Sequence, residues 1–529
     1  MSSSSEPYDL PVRPQVQRLA IAGIPPAAIV ILLLSTAASL LWSHCRLIWG
    51  DEFFVLWTDG VPSISQVVHI QRTFPISLDP LAYHALAHMA IRLFGPGAFA
   101  LRLLSLLGFF LMQICLFVFV RRIAGERAGI FALAFPTLTG TFYYAVDGRP
   151  YGLLLGLFAL AMVSWQAAAR HESKRTVALV TLAAAIALAL NTHYFGVLLL
   201  VPLGAAECFR SFQRRRLDLP VLASIGAGAA GILGVLPFLK AAAEFGANYY
   251  SQGHIDPWKI GSAFVETLTG IPLSDRGEAI LLVFLVIASC FVLWSCVRQA
   301  RGGTVQLPAS EAVLLLALGA LPFLGFLLAR LGSHVFEVRY VLGAVVGITA
   351  LVAIGLSPLF RRQRAWNDAL LLLFSAVAVS CVAHVALAQI QSRAVLSALN
   401  LSPEIKAAIL ASPDKQLYIQ HLGLFEFASC YEPDPDLRSR MTLVYSKDQE
   451  IHWGHMDMAS LIALHMRNFT SFHIVPYESL TTQPGDRIFV NYRGLYWSWT
   501  DQAFAAAHAK VTLIGKGFEG DVVSVRFLP

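Results

Sequence analysis

Between two long apolar runs the chain reads YYAVDGRPYG, Tyr143 to Gly152. A carboxylate, Asp147, stands two residues from a guanidinium, Arg149, and Pro150 follows at once. Either these charges mark a loop surfacing in water, or they belong to a site pressed against a membrane. Composition narrows the choice. Of 529 residues, 56% are hydrophobic and 14% charged, with a mean hydropathy of +0.63. A soluble globular chain carries about 25% charged residues. Apolar stretches of ~20 residues, the length that crosses a ~30 Å hydrocarbon core, recur from residue 21 to about 391. After that, charges, turn signals and short apolar runs return, as in a soluble domain of ordinary size. The chain reads as a polytopic α-helical membrane protein with a C-terminal soluble domain.

The net charge of +6 does not point to nucleic acid. Basic residues gather between alternate apolar runs: Arg121-Arg122, Lys174-Arg175, Arg214-Arg215-Arg216, Arg298 with Arg301, and Arg361-Arg362 with Arg364. That alternation is the positive-inside pattern, so the surplus reports topology. The opening MSSSSEPYDLPVRPQVQR lacks the basic, apolar and cleavage regions of a signal peptide. Seven cysteines show neither metal-like pairing nor a disulfide framework.

Eleven spans are expected: 21–43, 98–120, 128–146, 150–169, 176–192, 195–213, 219–240, 278–298, 310–331, 340–359 and 369–391. Residues 1–20 form a cytoplasmic tail, 21–391 the transmembrane domain, and 392–529 a soluble extracytoplasmic domain. The largest outer loop, 44–97, contains PSISQVVHIQRTF and DPLAYHALAHMAIRLFG, whose helical spacing of apolar residues predicts amphipathic helices lying in the interface. In the soluble domain KQLYIQ, MTLVY, FHIVPY, DRIFVNY, AKVTLIG and DVVSVRF read as strands. HMDMASLIALHMRNF and TDQAFAAAHA read as helices, giving a small α/β domain without a phosphate loop or metal-ligand spacing.

This topology brings a set of polar residues to the outer membrane face. Asp51 and Glu52 follow the first span, Arg72, Asp79, His84 and His88 sit in or near the amphipathic helices, and Asp147 and Arg149 share a turn with Tyr151 just beyond. His193 and Tyr194 make a third group, Arg339 and Tyr340 a fourth. Ionisable groups near hydrocarbon are costly enough to be functional candidates by default. Each has a bland alternative: the arginines could snorkel to headgroups, His193 could be a satisfied core histidine, and His84 and His88, four apart on a helix, are better read as packing than as metal ligands.

The DE pair after the first span, DPLAYHALAHMAIRLFG, YAVDGRPYGLLLG, the HYF turn and the late RY occur in an order that resembles the multi-spanning GT-C glycosyltransferases. The likeness is to the protein O-mannosyltransferase group (glycosyltransferase family 39) with its RgtA/B/C/D-like and lipid A aminoarabinose transferase relatives. It covers about residues 15–395, is strongest over 48–152, and is weak beyond 395. It implies a hexosyl- or pentosyltransferase that takes a sugar from a polyprenyl phosphate in the cell (inner) membrane and passes it to a lipid, glycan or protein acceptor outside. By the same resemblance, Asp51 would be the catalytic base and Glu52 its neighbour, while Arg149, His193 and Arg339 would face the donor phosphate. Asp147, Tyr151, Tyr194, Tyr340, Asp79 and His88 would support them. The turn usually reads Glu-x-Arg-Pro-Tyr in such proteins, and here Asp147 replaces the glutamate. No organic cofactor is implied, though Asp51, Glu52 and Asp147 could share a divalent cation with the phosphate. The rival reading is a lipid-linked-sugar flippase or other transporter, which should show internal repeats and polar residues inside broken spans.

Overall fold

The computed structural model describes residues 23–250, 256–270, 275–333, 336–398, 401–412, 414–455, 457–482, 485–491, 498–517 and 520–527. The N-terminal tail, 1–20, lies outside them. Among the described residues seven helices are long and apolar enough to cross a membrane, or nine if each of two bent pairs is one span. This is a multi-pass membrane protein.

The chain enters with α1 (Pro26–Cys45). The loop after it folds into α2 (Asp51–Asp59), α3 (Ile64–Thr73) and α4 (Leu81–Phe94). Ser63 and Gln66 close a capping box on α3, satisfying N–H groups that the helix itself leaves orphaned. Next come α5 (Ala98–Ala124), α6 (Glu126–Ala134), α7 (Tyr151–Ala169) and α8 (Arg175–Thr192). α5 ends on Arg121 and Arg122, cations beside the negative end of the helix dipole.

α5 and α7 pack backbone to backbone. A Cβ at Gly108 would lie 2.3 Å from the Gly152 carbonyl, so nothing larger than glycine fits. In lipid, where no hydrophobic drive separates helix from tail, such close approach is what holds helices together.

Several expected spans are not continuous helices. Residues 128–146 begin as α6, but Pro136 ends it, and two 3₁₀ turns, Phe135–Leu138 and Gly140–Ala145, complete the segment. The 219–240 and 310–331 spans each bend by 54°. Proline enters at the second helix of each pair, as Pro237 and Pro322, where it removes a backbone donor. The 340–359 span is a shorter helix, Ala344–Leu356, flanked by 3₁₀ turns. The last long helix, Gln363–Ala398, runs past the expected boundary at 391, because no helix breaker stands before Pro403.

The soluble domain contains all six expected strands: β1 (Leu417–Ile419), β2 (Met441–Tyr445), β3 (His473–Pro476), β4 (Gly485–Asn491), β5 (Lys510–Gly517) and β6 (Gly520–Phe527). They form one mixed sheet in the order β3-β2-β1-β4-β6-β5, parallel from β3 to β4, with β6 and β5 added antiparallel. Leu417, Ile419 and Leu443 are buried, as parallel strands covered on both faces require. The domain docks on the loop after α1. Phe53 of α2 meets Phe427 edge to face at 5.6 Å, Trp57 meets Phe472 at 5.2 Å, and the Ile48 amide donates to the Tyr431 hydroxyl at 2.7 Å. The loop after α1 is therefore the seam between the helical part and the C-terminal sheet domain.

Candidate functional site

The DE pair sits in the first turn of α2, and the chain turns into that helix at Gly50, whose φ of +33° suits a residue without a Cβ. Neighbours on a helix diverge by roughly 100°, so the two acids face different surroundings. Glu52 points inward and is fully buried. Its carboxylate accepts from Arg102 Nε at 2.8 Å and Nη2 at 2.6 Å, from the Gly148 amide at 2.6 Å and from the Trp49 amide at 3.2 Å. Arg102 spends its remaining donors on the carbonyls of Ser43, Arg46 and Leu47, at the end of α1. Every guanidinium N–H is engaged. Burial alone would raise the Glu52 pKa, but the Arg102 cation outweighs it and holds it below the usual value.

That arrangement also builds the Asp147–Arg149 turn. Gly148 donates to Glu52 and accepts from the Tyr83 hydroxyl at 2.8 Å, while Ser105 Oγ donates to the Arg149 carbonyl at 2.7 Å. Asp147 is buried, 3.9 Å from Arg46 Nη2, and its Oδ1 has no hydrogen-bond partner. Burial, with the Glu52 charge close by, pushes its carboxyl up to about 6. Of this pair of acids, Glu52 keeps the charge and Asp147 is the readier to take a proton.

Asp51 faces the other way. Its Oδ2 pairs with Arg339 Nη1 at 3.1 Å, and the two side chains are 29% and 30% exposed. Behind them Arg149 is buried, its Nη2 2.9 Å from Asp79 Oδ2 and its Nη1 donating to Ser77 Oγ and to the Asp51 carbonyl. The Arg149 cation offsets the burial of Asp79 and holds that carboxyl below its usual value. His193 lies 4.0 Å from Asp79, and its Nδ1 accepts from the Phe195 amide at 3.2 Å. Burial, helped by Arg149 and Arg339, lowers its pKa to about 4, so the ring is neutral at pH 7 and carries its proton on Nε2. Tyr151 and Tyr340 flank that ring at 5.4 and 5.3 Å. The Nε atoms of Arg149 and Arg339 are buried without a partner.

The structure thus gathers Asp51, Arg149, His193, Arg339, Asp79, Tyr151 and Tyr340 from four separate segments. Tyr194 lies in the 3₁₀ turn Tyr194–Leu199 beside them. His88 does not join: its Nδ1 bonds the Asp59 carbonyl at 2.8 Å, and His84 bonds the Asp59 carboxylate at 2.9 Å. Arg72 lies over the Phe238 ring instead. Nor do Asp51, Glu52 and Asp147 make a cation site. Both Glu52 oxygens are taken by N–H donors, Asp147 sits against Arg46, and no group of three or more His, Cys, Asp or Glu suited to a metal occurs among the described residues.

Four charged residues of this region stand outside the sequence expectations: Arg46, Asp59, Arg102 and Glu426. Arg102 and Glu426 each carried a signal, a lone charge in an otherwise apolar stretch, in ALRLLSLLG and GLFEFAS. Such a charge is expected to have a partner or a task.

Broken and straight apolar helices, three helices in the loop after the first span and a C-terminal sheet domain packed on them make an architecture similar in fold to solved GT-C proteins. Residues 79–240 match the family described as dolichyl-phosphate-mannose-protein mannosyltransferase. Among solved structures, ArnT from Cupriavidus metallidurans in the apo state is similar over 94% of this chain and 98% of its own, with a TM-score of 0.60 and 15% identity. The same protein bound to undecaprenyl phosphate matches with a TM-score of 0.55 at 13% identity, covering 94% and 97%. The Archaeoglobus fulgidus oligosaccharyltransferase in complex with zinc and sulfate matches over 86% of this chain and 68% of its own, with a TM-score of 0.50 and 13% identity. At these identities the likeness is one of fold. No curated protein matches the chain by sequence.

Proposed function

We propose that the chain is an integral-membrane glycosyltransferase that moves a sugar from a polyprenyl phosphate to an acceptor on the outer face. One observation carries the reading: a partly exposed carboxylate, Asp51, pairs with Arg339, Arg149 bonds the Asp51 carbonyl and shares Asp79 with neutral His193, and both arginines keep an unused buried N–H. That is a base beside an oxyanion site. The acceptor hydroxyl oxygen attacks the anomeric carbon, the carbon–oxygen bond to phosphate breaks with its electron pair leaving on the phosphate, and the hydroxyl proton passes to Asp51. A single in-line displacement inverts the anomeric centre. Negative charge grows on the departing phosphate, where guanidinium N–H groups and the His193 Nε2–H can meet it in a partly dehydrated site. ArnT from Cupriavidus metallidurans has been solved bound to undecaprenyl phosphate, which supports a donor of this class. The donor phosphate in this reading sits at headgroup level and its tail between helices.

Arg339 tests this without opening the core, since it lies at the mouth and, among the described residues, its ion pair is with Asp51. Arg339→Ala should weaken binding of undecaprenyl phosphate by the full-length protein in nanodiscs about tenfold or more, the value of a hydrogen bond to a charged group. Unchanged binding would remove the phosphate site from this place.

The transporter reading has one feature in its favour, the two bent spans. Their breaks read AGILGVLP (230–237) and LGALP (318–322), with no ionisable residue, whereas transporters concentrate polar ligands at such breaks. The enzyme reading is the stronger. Because Asp51 and the soluble domain line one cleft, they share a face, and the basic clusters at the opposite ends of the spans argue that this face is extracytoplasmic. A reporter active only in the cytoplasm, fused after Pro529, should be silent; strong activity there would invert the topology.

A further inference from the structure

A cleft with about 180 Å³ of open space separates the first turn of α2 from the soluble domain. Asp51 and Phe54 form its membrane-side wall; Gln420, Glu426, Met458 and Ile462 form the far one. Glu426, on the helix Leu422–Tyr431, is 1% exposed, and its Oε1 has no hydrogen-bond partner. A buried carboxyl oxygen left unbonded calls for a ligand or another explanation. Among the described residues lining the cleft none is Lys or Arg, and Arg339, beside it, is paired with Asp51. Both walls mix polar side chains (Asp51, Gln420, Glu426) with apolar ones (Phe54, Met458, Ile462), which matches a sugar ring with its rim of hydroxyls and its C–H faces.

We propose that this cleft is the acceptor subsite, and that Glu426 binds an uncharged sugar ring there and presents its hydroxyl to Asp51. The proposal rests on the glycosyltransferase reading and deepens it. Burial, with the Asp51 charge nearby, pushes the Glu426 carboxyl well above the usual range, so it is a neutral acid. It then offers one O–H donor and one carbonyl acceptor, the complement of a hydroxyl that accepts and donates. A carboxylate beside Asp51 would instead repel the base it has to serve. A serine or threonine side chain brings one hydroxyl to these groups where a sugar ring brings several, and a phosphorylated acceptor would bring its charge beside Asp51.

The test uses the full-length protein in nanodiscs and saturation-transfer NMR with three probes: methyl α-glucoside, glucose 6-phosphate and a serine-containing tetrapeptide. Wild type should contact the methyl glucoside in preference to the other two. Glu426→Leu, a similar-sized apolar replacement that keeps the fold, should weaken that contact about tenfold, the loss of one buried hydrogen-bonding group. Glu426→Gln, which still donates and accepts, should stay within a few-fold of wild type. Binding of undecaprenyl phosphate should be the same in all three proteins. No glucoside contact in wild type, equal contact in Glu426→Leu, preference for the peptide, or a change in undecaprenyl phosphate binding would each overturn the proposal. If wild type fails to bind undecaprenyl phosphate, the glycosyltransferase reading itself has failed.

Discussion

Asp51→Asn should lower sugar transfer by a factor of about 10²–10⁴, the usual worth of a general base, while leaving undecaprenyl phosphate bound. The amide keeps the shape of the side chain and can still accept from Arg339, but it cannot take a proton at neutral pH. Asp51 is partly exposed and bonded through one oxygen to Arg339, so the substitution disturbs no packed core. The effect should fall on turnover, because the proton moves only as the sugar is transferred. Membranes carrying each variant, supplied with a labelled polyprenyl-phosphate sugar from the same source, separate binding from transfer. Near-normal transfer by Asp51→Asn would take it out of the mechanism and leave Asp147, the acid already raised to about 6, as the next candidate.

The second large effect is on stability and falls on the neighbouring acid. Arg102→Met should destabilise the protein by about 3–5 kcal/mol, the cost of stranding one member of a buried ion pair. Glu52 would stay buried with its charge uncompensated, and the carbonyls of Ser43, Arg46 and Leu47 would lose their donor. Removing both partners, as Arg102→Met with Glu52→Met, should recover much of the loss. Thermal unfolding of the two single variants and the double variant in detergent gives the coupling directly. If Arg102→Met melts with wild type, the pair does not hold the loop after α1 to α5. The same series separates the two adjacent acids. A catalytic Glu52 would give a stable Glu52→Gln protein with transfer lost; a structural Glu52 lowers stability and transfer together.

Much of this was legible in the chain. Transmembrane character depends on the length and apolarity of local runs, and strands and helices on local period, so the apolar segments and all six strands of the soluble domain could be read without tertiary information. YYAVDGRPYG could be read too: Pro150 stands just before Tyr151, where α7 begins. Proline also explains where such reading fell short, because Pro136, Pro237 and Pro322 break runs whose hydropathy looks continuous.

The chain by itself determined that this is a multi-pass membrane protein with a C-terminal α/β domain, since that follows from hydrophobic length and local period. Only the tertiary structure decided which of its polar residues work together. Asp51 and Glu52 are adjacent in sequence, yet one helical step turns the first to the cleft and the second onto Arg102. Arg339 reaches Asp51, and Glu426 lines the same cleft, from distant parts of the chain. Such contacts are selected by packing across the whole fold, and the pairing of buried charges depends on which helices meet, information that no local run of residues contains.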